Sequence, residues 1–237
     1  MTRSLTRSSG STRRNSLYTL ARVILWPLSK LLFRLSIQGR DSISSSGPLI
    51  LVANHKSYID PILVGLASRR PIHYMAKSEL WRIPVLGWLI TRLNAFPVHR
   101  GTADRAVIRT ALGLLEHGEI VLLFPEATRH RGPGLGAIHP GAGVIAQKAG
   151  VPIVPVALLG SETILPEGRR FPRFPKLRVV VGEPIPPASA TDSAHEAKRL
   201  GTALINSAMR RVSEMSEAAA KSAAAPTPRR QAREGSR

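Results

Sequence analysis

The stretch Pro48 to Pro61, PLILVANHKSYIDP, constrains this chain more than any other. Leu49, Ile50, Leu51, Val52 and Ala53 form an apolar run of strand length and read as a buried strand. The run delivers Asn54 and His55 into a turn, with Asp60 five residues beyond the histidine. A neutral imidazole can take a proton from an alcohol near neutral pH, and a carboxylate on its other nitrogen sets the tautomer and stabilises the imidazolium that forms. Five residues along a regular helix rotate roughly 140°, so a helix carrying both residues would hold them on different faces. They meet only if His55 lies in the turn after the strand and Asp60 about one turn into the next helix. Two other readings share these residues. Asn54 can cap a helix, with Asp60 solvated or ending the turn before Pro61. A His/Asp pair can also ligate a metal, although no further ligands at matching spacing accompany it.

The remainder alternates apolar runs with helical patterns. Ile62 to Ala67 continues as a helix ending near Ser68, and Pro71 to Met75 is a short apolar segment leading to Lys77. Residues 79–93 mix Trp81, Trp88 and aliphatic side chains with Arg82 and Arg92, which suits a membrane interface or the mouth of an apolar channel. Ala95 to Val98 is a brief strand, and Thr102 caps a helix that runs through Glu116 and stops at Gly118. Glu119 to Pro125 is a second buried strand, ending in Glu126, Ala127, Thr128 and Arg129. Residues 130–143, with five glycines and two prolines, read as a loop able to order over a substrate. Ala142 to Ala149 is a helix stopped by Gly150, and Val151–Leu159 and Leu177–Val181 are further buried strands. Ser193 to Ala218 has helical apolar spacing. Strands alternating with helices in this way predict one α/β domain over residues 38–218, with a mostly parallel sheet flanked by helices.

The ends differ in character. Residues 1–16 carry four arginines and no acid, and residues 219–237 form an Ala/Pro/Arg-rich tail; both are expected to be disordered basic segments. Between the first arm and the domain, residues 17–37 are apolar but broken by Arg22, Pro27, Lys30 and Arg34. They predict an N-terminal membrane-interface helix pair lying on the bilayer, with Trp26 and Phe33 in the apolar layer. An ordinary amphipathic helix packed on the domain shares the same periodicity. A spanning helix would want a longer charge-free run, and a cleavable signal is not expected. The formal charge of +19 calls for an anionic partner: nucleic acid, anionic lipid or a phosphorylated substrate. With no cysteine, disulfides and cysteine-linked intermediates are excluded.

Taken together, NHKSYID at 54–60, FPEATRH at 124–130 and VPIVPVAL at 151–158 resemble the glycerolipid acyltransferases, specifically the 1-acylglycerol-3-phosphate (lysophosphatidate) acyltransferase family. The resemblance covers about residues 40–185. Asn54, His55 and Asp60 match its NHxxxxD block, and Phe124, Pro125, Glu126, Thr128 and Arg129 match its FPEGTR block. Val98, His99 and Arg100 match a short strand block, and Val154, Pro155 and Val156 a proline-containing strand. Two departures stand out: Ala127 and Asn94 occupy positions where the family usually has glycine, and the extra methyl at 127 is expected to restrict approach by the acceptor.

The resemblance implies direct acyl transfer from an acyl-CoA or acyl-carrier-protein thioester to the hydroxyl of lysophosphatidate, without a cofactor or a metal. His55 would be the base and Asp60 its orienter. Arg129 and Arg100 would bind the acceptor phosphate, with Lys77 a further cation for it and Glu126 and Thr128 further substrate contacts. Glu126 could hold the glycerol hydroxyl or brace Arg129, and Ser57 suits a turn better than a nucleophile. The implied setting is the cytoplasmic face of the cell membrane, held peripherally or monotopically through anionic lipid. A different lipid alcohol as acceptor is one alternative. Others are a non-catalytic membrane-surface protein and a nucleic-acid-binding protein. The last would want aromatic residues interleaved with the basic runs, whereas here they cluster with aliphatic ones.

Overall fold

Among the described residues, seven strands form one sheet in the order β1-β7-β6-β2-β5-β3-β4. In chain order the elements are α1 (Ser16–Phe33), β1 (Ser36–Gln38), β2 (Leu49–Ala53), α2 (Asp60–Ala67), β3 (Ile72–Lys77), α3 (Pro84–Arg92) and β4 (Ala95–Val98). They continue with α4 (Arg105–Glu116), β5 (Ile120–Leu123), α5 (Gly141–Ala149), β6 (Ile153–Leu159), β7 (Arg178–Val181) and α6 (Ala194–Ala224). The computed structural model describes residues 16–98, 105–130, 132, 134–166, 170–189 and 193–224. The basic arm before residue 16, the Thr102 cap, and the tail from 225 lie outside them.

The two-residue alternation of a strand divides the core into two layers. In β2, Leu49, Leu51 and Ala53 join one apolar cluster with α2 and the inner side of α1. Ile50 and Val52 join the other, with Val107 and Ala111 of α4, Ile145 and Ala146 of α5, and Ile205 and Met209 of α6. β2 is buried on both faces, as an apolar run in a covered sheet should be. On the second face α5 and α6 meet backbone to backbone: a Cβ at Gly143 would lie 1.8 Å from the Gly201 carbonyl oxygen. Only a residue without a side chain allows that approach.

Strand direction decides where chemistry can sit. β6, β2, β5, β3 and β4 are mutually parallel, whereas β7 runs antiparallel to β6 and β1 is parallel to β7. The carboxyl ends of five strands therefore share an edge with the amino ends of β7 and β1. Register places Leu159 opposite Arg178, and Arg178 opposite Ser36, at that edge. Loops beyond the carboxyl ends of parallel strands form the usual ligand crevice of such sheets.

The N-terminal segment corrects the expected helix pair. α1 is one helix with Pro27 inside it, and residues 36–38 are edge strand β1. Proline removes one backbone donor, yet the helix continues through the exposed Pro27 to Phe33. α6 likewise runs to Ala224, past the boundary expected at 218. No helix among the described residues is long and apolar enough to cross a membrane. α1 nevertheless leaves Leu20, Val23, Ile24, Leu28 and Leu31 between 42% and 79% exposed along its outer face. Its inner face docks through Tyr18, whose hydroxyl accepts from the Ile72 amide at 3.3 Å. Burial there raises the phenol of Tyr18 above its ordinary range and pushes that of Tyr74 up to about 12.

Candidate active site

β2 ends at Ala53, and the next two side chains lock the turn that follows. Asn54 is 3% exposed. Its amide donates to the Leu158 carbonyl and accepts from the Leu158 amide, both at 2.8 Å. It therefore ties β2 to β6 instead of capping a helix. The helix begins at Asp60 itself, so residues 54–59 turn back on its first residue. That placement removes the helical spacing problem: the His55 Nδ1 to Asp60 Oδ2 distance is 3.0 Å.

Asp60 is fully buried, and its Oδ2 also accepts from the amides of Lys56 at 2.7 Å and Ser57 at 2.6 Å. An oxygen already facing two N–H donors acts as an acceptor toward the imidazole as well. Nδ1 then carries the proton and Nε2 the lone pair. Asp60 Oδ1 has no hydrogen-bond partner among the described residues. The imidazole stacks on Phe124 with ring centroids 4.1 Å apart and 23° between planes. Its side chain is 14% exposed, and Nε2 has no partner among the described residues. Ser57 contributes its backbone to the turn, as expected.

The second motif comes from the end of β5. Glu126 is 3% exposed. Its Oε1 accepts from the His55 amide at 2.8 Å and its Oε2 from the Gly136 amide at 2.7 Å. Among the described residues its oxygens hold backbone amides, and Arg129 is not its partner. Its carboxylate joins the His55 turn to the glycine-rich loop, because two backbone donors 81 residues apart in sequence converge on it. The loop is fastened further by the His130 amide to the His55 carbonyl at 2.9 Å and by Lys56 Nζ to the Gly132 carbonyl at 2.8 Å.

Replacing Glu126 by alanine leaves two part-buried amides without their acceptor. The expected result is a loss of about 2 kcal/mol in stability, the low end of roughly 1–3 kcal/mol for each unmet donor because neither amide is fully buried. A lower melting temperature, with a fall in kcat smaller than that of His55→Ala at matched folding, checks it. Unchanged melting would remove Glu126 from this bracing role.

Arg129 lies on the neighbouring turn. Its guanidinium donates to the Tyr58 hydroxyl at 2.8 Å and stacks with its carbon 3.5 Å from the Tyr58 ring centroid. Among the described residues no carboxylate pairs with it, so its charge is held in place without being neutralised. Thr128 is exposed in the same turn, with its amide 2.6 Å from the Glu126 carbonyl. Lys77, at the end of β3, pairs with Glu79 at 3.0 Å and lies two strands away from β2. Arg100 lies outside the described residues.

Both departures from the family motifs fall at left-handed backbone positions: Ala127 has φ 56° and Asn94 φ 65°. Glycine is favoured there for conformation, and asparagine tolerates the same region better than alanine does. Ala127 therefore holds a left-handed backbone conformation that a glycine would adopt at less cost.

Sequence reasoning assigned no role to Phe124, Tyr58 or Lys56. The only signal was their position within the two motifs.

Residues 34–159 match the family model described as Acyltransferase. The chain is 31% identical over 160 residues to the 1-acyl-sn-glycerol-3-phosphate acyltransferase of Bacillus subtilis, covering 67% of this chain and 76% of the relative. It is 34% identical over 140 residues to the lyso-ornithine lipid O-acyltransferase of Pseudomonas aeruginosa, covering 58% and 53%. It spans about half the length of the chloroplastic relatives that it matches. Among solved structures, the 1-acyl-sn-glycerophosphate acyltransferase of Thermotoga maritima is similar, with TM-score 0.66 and 26% identity over 89% of this chain and 84% of that one.

Proposed function

The chain belongs to the acyltransferase family, and from that premise we propose that it moves a fatty acyl group from an acyl thioester to the free hydroxyl of lysophosphatidate, giving phosphatidate. The observation that carries this reading is the His55 Nδ1 to Asp60 Oδ2 contact at 3.0 Å, which leaves Nε2 as the basic nitrogen. In the proposed reaction the acceptor hydroxyl gives its proton to Nε2 as its oxygen bonds to the thioester carbonyl carbon. The tetrahedral species then collapses, the carbon–sulfur bond breaks, and the imidazolium returns the proton to the departing thiolate. Asp60 stabilises the imidazolium between these steps. Arg129, unpaired with any carboxylate among the described residues, receives the acceptor phosphate.

An apolar groove between α1, α2 and β3 begins at Pro61 and Ile62, next to Asp60, and is lined by Leu25, Gly65, Tyr74 and Leu93 among others; its apolar lining supports a place for part of an acyl chain. The exposed apolar face of α1 and the charge of +19 support a peripheral or monotopic position on anionic membrane, with the cytoplasmic face as part of the same proposal.

A second acceptor is favoured by one observation, the similarity to a relative named for lyso-ornithine lipid. The test is transfer of labelled acyl groups by the purified chain in liposomes. Acyl-CoA and acyl-carrier-protein donors are each paired with lysophosphatidate and lyso-ornithine lipid. Labelled phosphatidate is the expected product. Product from lyso-ornithine lipid alone would move the acceptor assignment, and no product from any pair would overturn the enzyme reading.

A further inference from the structure

The connection between β6 and β7 carries an apolar and basic surface for which the proposed reaction has no use. It leaves β6 at Leu159 and enters β7 at Arg178, so by register it lies at the sheet edge that also bears His55. The Arg173 amide donates to the Ile164 carbonyl at 2.7 Å and closes the connection into a loop. On that loop Phe171 is 82%, Leu165 54% and Phe174 50% exposed, and Arg170, Arg173 and Lys176 are exposed beside them. Three large apolar groups in water beside three cations form a surface that burial in an anionic bilayer interface would satisfy on both counts.

Three contacts make this loop continuous with the end of α1. The Phe174 ring lies 5.5 Å from that of Phe33, Arg34 donates to the Phe174 carbonyl at 3.2 Å, and the Leu177 amide donates to the Phe33 carbonyl at 3.0 Å. Leu28 and Leu31, 42% and 79% exposed, lie in the last turns of the same helix. Helix and loop therefore end at one edge of the molecule, where the base sits.

We propose that the loop closed by the Ile164–Arg173 bond inserts Phe171, with Leu165 and Phe174, into the interface of an anionic phospholipid bilayer, as a second docking element beside α1 that turns the His55 edge toward the lipid. A bilayer accounts for the combination better than a protein partner, because the apolar groups lie among exposed cations and continue into the exposed face of α1. The inference rests on the interfacial position proposed above and is independent of acyl transfer.

The absence of cysteine from the chain makes a site-specific probe possible. An environment-sensitive fluorophore attached through Phe171→Cys in the full chain should shift to the blue on mixing with phosphatidylglycerol-containing vesicles, and less with phosphatidylcholine alone. In sedimentation with the anionic vesicles, Phe171→Ser should bind about tenfold more weakly than wild type, the scale set by burying one phenylalanine, while Phe171→Leu retains most binding. Equal melting temperatures would exclude misfolding as the cause, since Phe171 is almost wholly exposed.

Wild type that binds vesicles while the fluorophore stays in water and Phe171→Ser binds equally well would overturn the loop's role and leave the α1 reading standing. Wild type that fails to bind would overturn both. A blue shift with an acidic acyl-carrier protein but not with vesicles would overturn the bilayer assignment in favour of a protein partner.

Discussion

Replacing His55 by alanine is expected to lower the rate of acyl transfer by about a thousandfold or more, within or above the usual range for removing a general acid–base group. The geometry makes the loss large. Nε2 is the ring nitrogen left open, Nδ1 being held by Asp60 at 3.0 Å, and no second histidine among the described residues shares that carboxylate. The cost to folding should be small by comparison. The truncated ring gives up its stack on Phe124, but Asp60 keeps the Lys56 and Ser57 amides at 2.7 and 2.6 Å. The measurement is single-turnover transfer from a labelled acyl thioester with lysophosphatidate, beside a thermal melt of the same preparation. A well-folded variant that keeps a tenth of the wild-type rate would remove His55 as the base.

Asp60→Asn should have the next largest effect, about a hundred- to a thousandfold in kcat with nearly intact stability. The amide is close to isosteric with the carboxylate, and its oxygen can still accept from the two turn amides. It cannot supply the negative charge that stabilises the imidazolium. If its NH2 group faces the ring, Nδ1 must become the acceptor and the proton moves to Nε2, where it blocks the base. The two changes act on one unit, so the double variant His55→Ala/Asp60→Asn should be no slower than His55→Ala alone. Additive losses in that cycle would show that Asp60 acts on something other than the imidazole. Stability distinguishes this variant from Asp60→Ala, which leaves two part-buried amides without an acceptor and should cost about 2 kcal/mol.

Much of this site was legible from residue types and order, and the reasons are local. β2 and β4 have the bounds that their apolar runs suggest, and β2, buried on both faces, is a run that needs no partner to be recognised. The pairing of His55 with Asp60 was legible as chemistry, but its geometry depended on where the helix starts. Counting along a helix separates the two side chains; a helix that starts at Asp60 brings them together. Edge strand β1 was hidden inside an apolar stretch with helical spacing, since three residues carry no period of their own and the pairing with β7 decides their state. The left-handed backbone at Asn94 and Ala127 could not be read from those residue types, because neither requires it.

Glu126 marks the boundary between the two kinds of information. Its place in the FPEATR motif singled it out, yet both of the roles considered for it faced outward, toward substrate or Arg129. The structure turns it inward onto the His55 and Gly136 amides. Such a contact depends on β2 and β5 being neighbours in register, with Ile50 opposite Val121, a relation between residues 71 apart.

Sequence alone determined the α/β class, the acyltransferase resemblance, His55 and Asp60 as a candidate pair, and the basic, apolar-faced character of the N-terminal helix, because periodicity and motif spacing are short-range properties of the chain. Tertiary structure alone decided that Asn54 bridges strands, that Glu126 braces the His55 turn, that Tyr58 holds Arg129, and that the Phe171 loop shares an edge with His55. Each of those depends on sheet order and strand direction, which arise from long-range pairing.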